Sequence, residues 1–191
     1  MSGKLESYRR VLSELDDWDQ YLMQHSGLPG PRANLELLQA AADVASEAQL
    51  ASWLKRDNAQ ISVNSPELFP VLCGLVGLGR LLAEGQTEAL PTLRRYAADP
   101  RWRLREGVAM ALQRWGDQDM AALLAAMERW SRRSRLEQRA AAAGLCEPRL
   151  LACPEEARRV LDILDRITTS VVTASDHKTE EFKILRQALG Y

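Results

Sequence analysis

The stretch DPRWRLREGVAMALQRWGD, Asp99 to Asp117, decides how the rest of the chain is read. Asp99-Pro100 stops one helix and Gly116 stops the next, because proline lacks the N–H that a helix interior needs and glycine costs a helix about 1 kcal/mol relative to alanine. Between these breakers Leu104, Val108, Ala111, Leu112 and Trp115 recur at helical spacing. LREGVAMAL (Leu104–Leu112) can be laid on EQRAAAAGL (Glu137–Leu145), an offset of 33 residues from 104 to 137. Both segments follow a helix ending in an aromatic zone (Tyr96, Trp130), and both lead into a breaker (Gly116, Pro148). A poorer match, VLCGLVGLG (Val71–Gly79), sits another 33 residues upstream. A period of 20–50 residues with two helices per unit is the pattern of an α-solenoid. The second helix of each unit is rich in small residues: Gly107, Ala109 and Ala111 in one, Ala140 to Gly144 in the other. Small side chains let flanking helices approach on two sides, whereas a helix packed on one side needs only one apolar stripe.

Outward from this centre, apolar residues keep helical spacing almost everywhere. Leu5, Tyr8, Leu12, Leu15 and Leu22 form a stripe that ends before Gly27-Leu-Pro-Gly30, and a second helix starts near Asn34. Ser46-Glu-Ala-Gln49 and Ser134-Arg-Leu-Glu137 have the capping-box form and each opens a helix. Residues 57–65 have no helical period and read as a loop, after which Ser65-Pro66-Glu67 opens a helix to about Glu84. Further helices are expected over Leu90–Ala98, Arg101–Trp115, Asp117–Trp130, Pro154 onward and Thr179–Leu189. The expected fold is therefore all-α, a right-handed α-α superhelix of antiparallel helix pairs in one domain over 1–191. N-terminal helices would fill 1–56, repeats 66–147 and C-terminal helices 154–191.

Asp99-Pro100-Arg101-Trp102-Arg103-Leu104-Arg105-Glu106, followed by small apolar residues, is similar to the HEAT-repeat pattern, in which an Asp-Pro-type turn precedes the helix. The resemblance covers about residues 66–147 and implies a non-catalytic scaffold. The chain also resembles, more weakly, the HEAT-like DNA alkylation repair proteins of the alkylpurine glycosylase type. That family's catalytic aspartate and aromatic residues do not map onto this sequence residue by residue, so no active site is carried over. Asp99 and Trp102 are the nearest candidates.

With 191 residues, 46% hydrophobic and 27% charged, the chain can bury a core without staples. Three cysteines (Cys73, Cys146, Cys153) and two histidines (His25, His177), with no CxxC, argue against a disulfide framework and against structural zinc. The cysteines read as small buried thiols of a cytoplasmic protein, and no cofactor is expected. No segment reaches the length of a membrane span. G-x-S-x-G, H-E-x-x-H and P-loop motifs are absent, and Gly74-Leu-Val-Gly77-Leu-Gly79 lies within an expected helix, not after a strand. Asp16, Asp17 and Asp19 read as a solvated face of the first helix. Trp18, Trp53 and Trp115 read as core.

Charge is distributed unevenly. The net charge is −1, yet residues 91–140 hold eleven arginines and six acids, +5, which leaves −6 elsewhere. All the bases in that window are arginine, whose planar fork matches carboxylate and phosphate. Arg101, Trp102, Arg103, Arg105, Arg135, Arg139 and Trp130 are accordingly the candidate binding residues of a face lined by second helices. The competing reading pairs these arginines with neighbouring acids, Arg105 and Arg139 forming a ladder between repeats. A protein partner is expected first, since near-neutral net charge gives no broad steering toward nucleic acid, and nucleic acid second. The protein is expected to be a monomer or weak dimer. The ending Leu-Gly-Tyr191, without an obvious polar cap, suggests that the natural chain or its solenoid continues.

Overall fold

The computed structural model describes residues 3–175 and 177–190. Among them lie eleven α-helices, one short 3-10 helix at Pro148–Leu151 and no strand. The helices are α1 (Gly3–Glu14), α2 (Asp19–His25), α3 (Leu35–Val44), α4 (Glu47–Lys55), α5 (Leu68–Ala83), α6 (Ala89–Ala97), α7 (Trp102–Gly116), α8 (Met120–Trp130), α9 (Arg135–Leu145), α10 (Pro154–Val172) and α11 (Glu180–Ala188). The expectation of an all-α fold holds.

Packing sorts them into two layers. α1, α3, α5, α7, α9 and α11 each lie against the next odd-numbered helix. On their other side α4 covers α5, α6 bridges α5 and α7, α8 bridges α7 and α9, and α10 lies on α8 and α9. Three ties between packed helices span 33 to 35 residues. Arg139 pairs with Glu106 across 33 residues, Trp53 Nε1 donates to Asp19 across 34, and Arg80 Nη2 donates to the Ala45 carbonyl across 35.

Local chemistry sets the boundaries. Asn34, Ser46, Asp119, Ser134 and Thr179 each accept a hydrogen bond from the backbone N–H three residues on. Such caps contribute about 1 kcal/mol apiece. At Ser134 the box is reciprocal, because the Glu137 carboxylate accepts from the Ser134 N–H. α5 is buried nearly all round, from Leu68 to Leu82 apart from half-buried Arg80, as its contacts on both layers require.

The structure departs from the sequence reading in several places. The first apolar stripe is interrupted: α1 ends at Glu14, the Asp17 carboxylate accepts from the Asp19 N–H, and α2 restarts at Asp19. Short acidic side chains compete with the helix ladder in this way. Asp19 consequently faces inward, accepting from Trp53 Nε1 at 2.7 Å and pairing with Arg56, so it is no solvated carboxylate. Trp53 and Trp115 are core, while Trp18 is half-buried with its ring centroid 6.1 Å from that of Trp53. Of the cysteines only Cys73 is buried; Cys146 is exposed, Cys153 half-buried, and all three are free thiols. The helix expected from Ser65 begins at Leu68, after turns that fill residues 59–67. Tyr191, on which the reading of an uncapped end rests, lies outside the described residues.

Candidate interaction site

α3, α5 and α7, with the end of α9, line a groove of about 720 Å³. Trp102, the first residue of α7, stands in it 45% exposed, and Leu35, the first residue of α3, is 50% exposed across from it. The floor is close-packed: a β-carbon at Gly107 would touch only the ends of Leu72 and Leu75. Charges of both signs surround the apolar centre, Arg32, Arg103, Arg114 and Arg149 against Glu36, Glu106 and Glu147.

Arg103 lies beneath Trp102, its guanidinium carbon 4.4 Å from the indole centroid. The residue is only 6% exposed. Its Nε donates to the Val63 carbonyl at 3.0 Å, and its Nη2 donates to the Gly30 carbonyl at 2.7 Å and to Asn64 Oδ1 at 3.1 Å. All three acceptors are neutral. Desolvation therefore lowers its pKa without a carboxylate to offset it.

The other candidate residues divide among different duties. Arg101 faces away from the groove and clamps the α6–α7 turn to the 57–65 loop through Asp57 and Asp99. Its pKa is raised, first by the hydrogen bonds it donates to Asp99, then by those it donates to Asp57, against the cost of burial. Arg105 donates to the Asp99 and Pro100 carbonyls, and burial, then the neighbouring Arg139 charge, lowers its pKa. Arg139 donates to the Arg105 carbonyl and pairs with Glu106, the ladder contact between units. Arg135 reaches Gln138 and Ser170 and lies over the Phe182 ring. Trp130 is buried, and only Trp102 and Arg103 of the seven line the groove. Asp99 accepts from the Arg101 backbone N–H, Nε and Nη2, so its carboxylate is engaged on both oxygens. His25 and His177 are exposed, packed against Tyr21 and Phe182.

Sequence reading missed Leu35, Arg32 and Met110 as groove residues. The available signal was faint: α3 carries one leucine more than its buried stripe of Leu37, Leu38 and Ala41 requires.

A second cleft, about 540 Å³, opens between α6 and α8 and is lined by Arg94, Arg95, Arg129 and Arg133 above buried Trp130. Its one acid, Glu137, is buried, which by itself raises a carboxyl pKa. Hydrogen bonds from Ser134 and Arg94 outweigh that and hold it below the ordinary glutamate value near 4.5. A carboxylate with a depressed folded-state pKa contributes stability that is present above the unfolded value and lost as pH falls through the folded one. The urea midpoint is therefore expected to fall as pH drops from about 5, and Glu137→Gln should flatten that fall. An equal slope in the variant would mean that Glu137 is not held in the pair.

Among the described residues no group of three or more His, Cys, Asp or Glu is placed to hold a metal ion. No helix in them is long and apolar enough to cross a membrane. Comparison of the chain with protein-family models, curated proteins and solved structures returns no match.

Proposed function

We propose that the chain is a non-catalytic, HEAT-like helical-repeat module that binds a protein partner in the groove between Leu35 and Trp102, acting in the cytoplasm as a monomer or weak dimer. The observation that carries this reading is a half-exposed tryptophan set in a groove whose rim bears both signs of charge. Tryptophan and arginine are enriched at the centres of protein interfaces, and exposed tryptophan is otherwise a poor surface residue. The HEAT-like assignment draws support from the two layers and from ties that recur near the 33-residue offset.

Nucleic acid is the second reading, and the α6–α8 cleft favours it. Arg129 and Arg133 form no ion pair among the described residues, and both are exposed. Against a nucleic acid in the Trp102 groove, Glu36, Glu106 and Glu147 offset three of its four arginines, so that face is not polybasic. The glycosylase-type reading would also need a free carboxylate at Asp99, which Arg101 occupies.

The test is affinity purification from nuclease-treated native extract with three proteins: the unaltered chain, Trp102→Ala and Leu161→Ala, the last on exposed α10 surface outside the groove. A partner retained by the first and third and lost by Trp102→Ala is expected. If no captured protein depends on Trp102, and labelled DNA binds with a steep dependence on salt, the nucleic-acid reading replaces this one.

A further inference from the structure

We infer that the groove recognises a carboxylate of its protein partner, an Asp or Glu side chain beside an apolar residue, with Arg103 receiving the carboxylate and Trp102 and Leu35 receiving the apolar neighbour. This rests on the groove reading proposed above and adds the chemistry of the segment that fills it.

The starting point is an imbalance of charge. A guanidinium withdrawn from water costs several kcal/mol unless a counter-charge offsets it. Arg101 follows that rule, with two carboxylates; so do Arg139, with Glu106, and Arg114, with Asp43. Arg103 does not. It is as buried as these, yet forms no ion pair among the described residues, and its three acceptors are two carbonyls and an amide. Stapling the loops at Gly30 and at Val63–Asn64 explains the bonds of Nε and Nη2. It leaves Nη1, with two N–H groups, free of any protein acceptor, and this atom is not among those sealed from solvent without a partner. The residue lines the groove, so the unspent donors and the unbalanced charge are presented to whatever occupies it.

The neighbours define the rest of the ligand. Arg32 is exposed on the same groove and has no ion pair among the described residues, so it can add to the positive field at that end. The Trp102 ring covers one face of the Arg103 guanidinium, which orients the fork and screens it from water. A carboxylate oxygen accepting from Nη1 would form a charge-assisted bond at a side chain already held in place by three others. Glu36, Glu106 and Glu147 lie on the same groove and offset three of its four arginines, a balance that suits one carboxylate better than a polyanion such as a nucleic-acid backbone.

The experiment selects a phage-displayed random dodecapeptide library on the intact protein, with parallel selection on Trp102→Ala. Trp102-dependent peptides are expected to share an Asp or Glu next to an aromatic or aliphatic residue. In a synthetic peptide from that set, Glu→Gln should weaken binding roughly tenfold. The Glu peptide, and not its Gln form, should shift the Arg103 side-chain N–H resonances of the unaltered protein. Arg103→Lys keeps the charge without the fork and should weaken the Glu peptide alone, its fold checked by circular dichroism. If the Trp102-dependent peptides carry no shared acid, or the Gln form binds equally well, the carboxylate inference falls and the groove reading stands. If no peptide depends on Trp102, the groove reading falls and takes the inference with it.

Discussion

Gly79→Ala is expected to cost about 3 kcal/mol of stability, although alanine is the better helix former by about 1 kcal/mol. Gly79 lies on the α5 face that meets α7, and a β-carbon there would collide with the main chain of Ala111. A main-chain carbonyl cannot rotate aside as a side chain can, so the two helices would have to separate along their length. α5 and α7, neighbours in the same layer, share the most extensive helix–helix contact among the described residues. Gly107 supplies the control: a β-carbon there would meet only the methyl ends of Leu75 and Leu72, at 3.1 and 3.3 Å. Those can shift by a few tenths of an ångström, so Gly107→Ala should cost less than about 1 kcal/mol, with the helix-propensity gain partly offsetting the crowding. Urea unfolding of both variants checks the pair. Equal losses would mean that the α5–α7 contact at Gly79 yields as readily as the one at Gly107.

That contact also shows what can be read from the chain alone and what cannot. The Gly- and Ala-rich second helices announce close approach on two faces, because small residues at helical spacing serve little other purpose. The 33-residue offset matches the spacing of some ties, among them Arg139 with Glu106, and Ser134 with Glu137 announces where a helix begins. Each of these signals is local or periodic. The break between α1 and α2 was hidden because Leu15 and Leu22 continue the stripe in phase, while the competing Asp17 side chain leaves no mark on periodicity. The arginines were harder still. Arg101 and Arg103 are two residues apart at one helix start; Asp99, two residues before Arg101, marks one of its partners, but nothing nearby in sequence shows that Arg103 lacks one. The difference arises from a loop without periodicity: it offers Asp57 to Arg101 across 44 residues and only the Val63 carbonyl and the Asn64 amide oxygen to Arg103. Sequence locates such arginines in a region, and only the fold assigns their partners.

Arg101→Ala should be the most damaging single charge removal, at about 3–5 kcal/mol, because it leaves two enclosed carboxylates facing one another. All five guanidinium N–H groups are used: Nε to Asp99, Nη1 to Asp57 and the Asn58 carbonyl, and Nη2 to Asp57 and Asp99, at 2.8–3.0 Å. The side chains of Arg101, Asp57 and Asp99 are 12%, 12% and 14% exposed, so water can do little to replace the lost cation. Asp57 also accepts from the Tyr96 hydroxyl, whose pKa burial and that carboxylate push up to about 12, so the loss would reach α6 as well. Thermal and urea unfolding measure the cost. A double variant, Arg101→Ala with Asp57→Asn, should lose clearly less than the sum of the single losses, since the second change removes a charge that the first had stranded. Additive losses would mean that the two groups are solvated independently. The clamp also has a consequence for binding. Arg101 holds the 57–65 loop against the start of α7, and the same loop supplies the Val63 and Asn64 acceptors that hold Arg103 under Trp102. Arg101→Ala is therefore expected to weaken the Trp102-dependent peptides even at temperatures where the variant remains folded. Trp102→Ala, by contrast, should weaken them with a change in stability below about 1 kcal/mol. The two substitutions sit on adjacent residues, and the difference between them separates a side chain that touches the partner from one that holds the groove in shape.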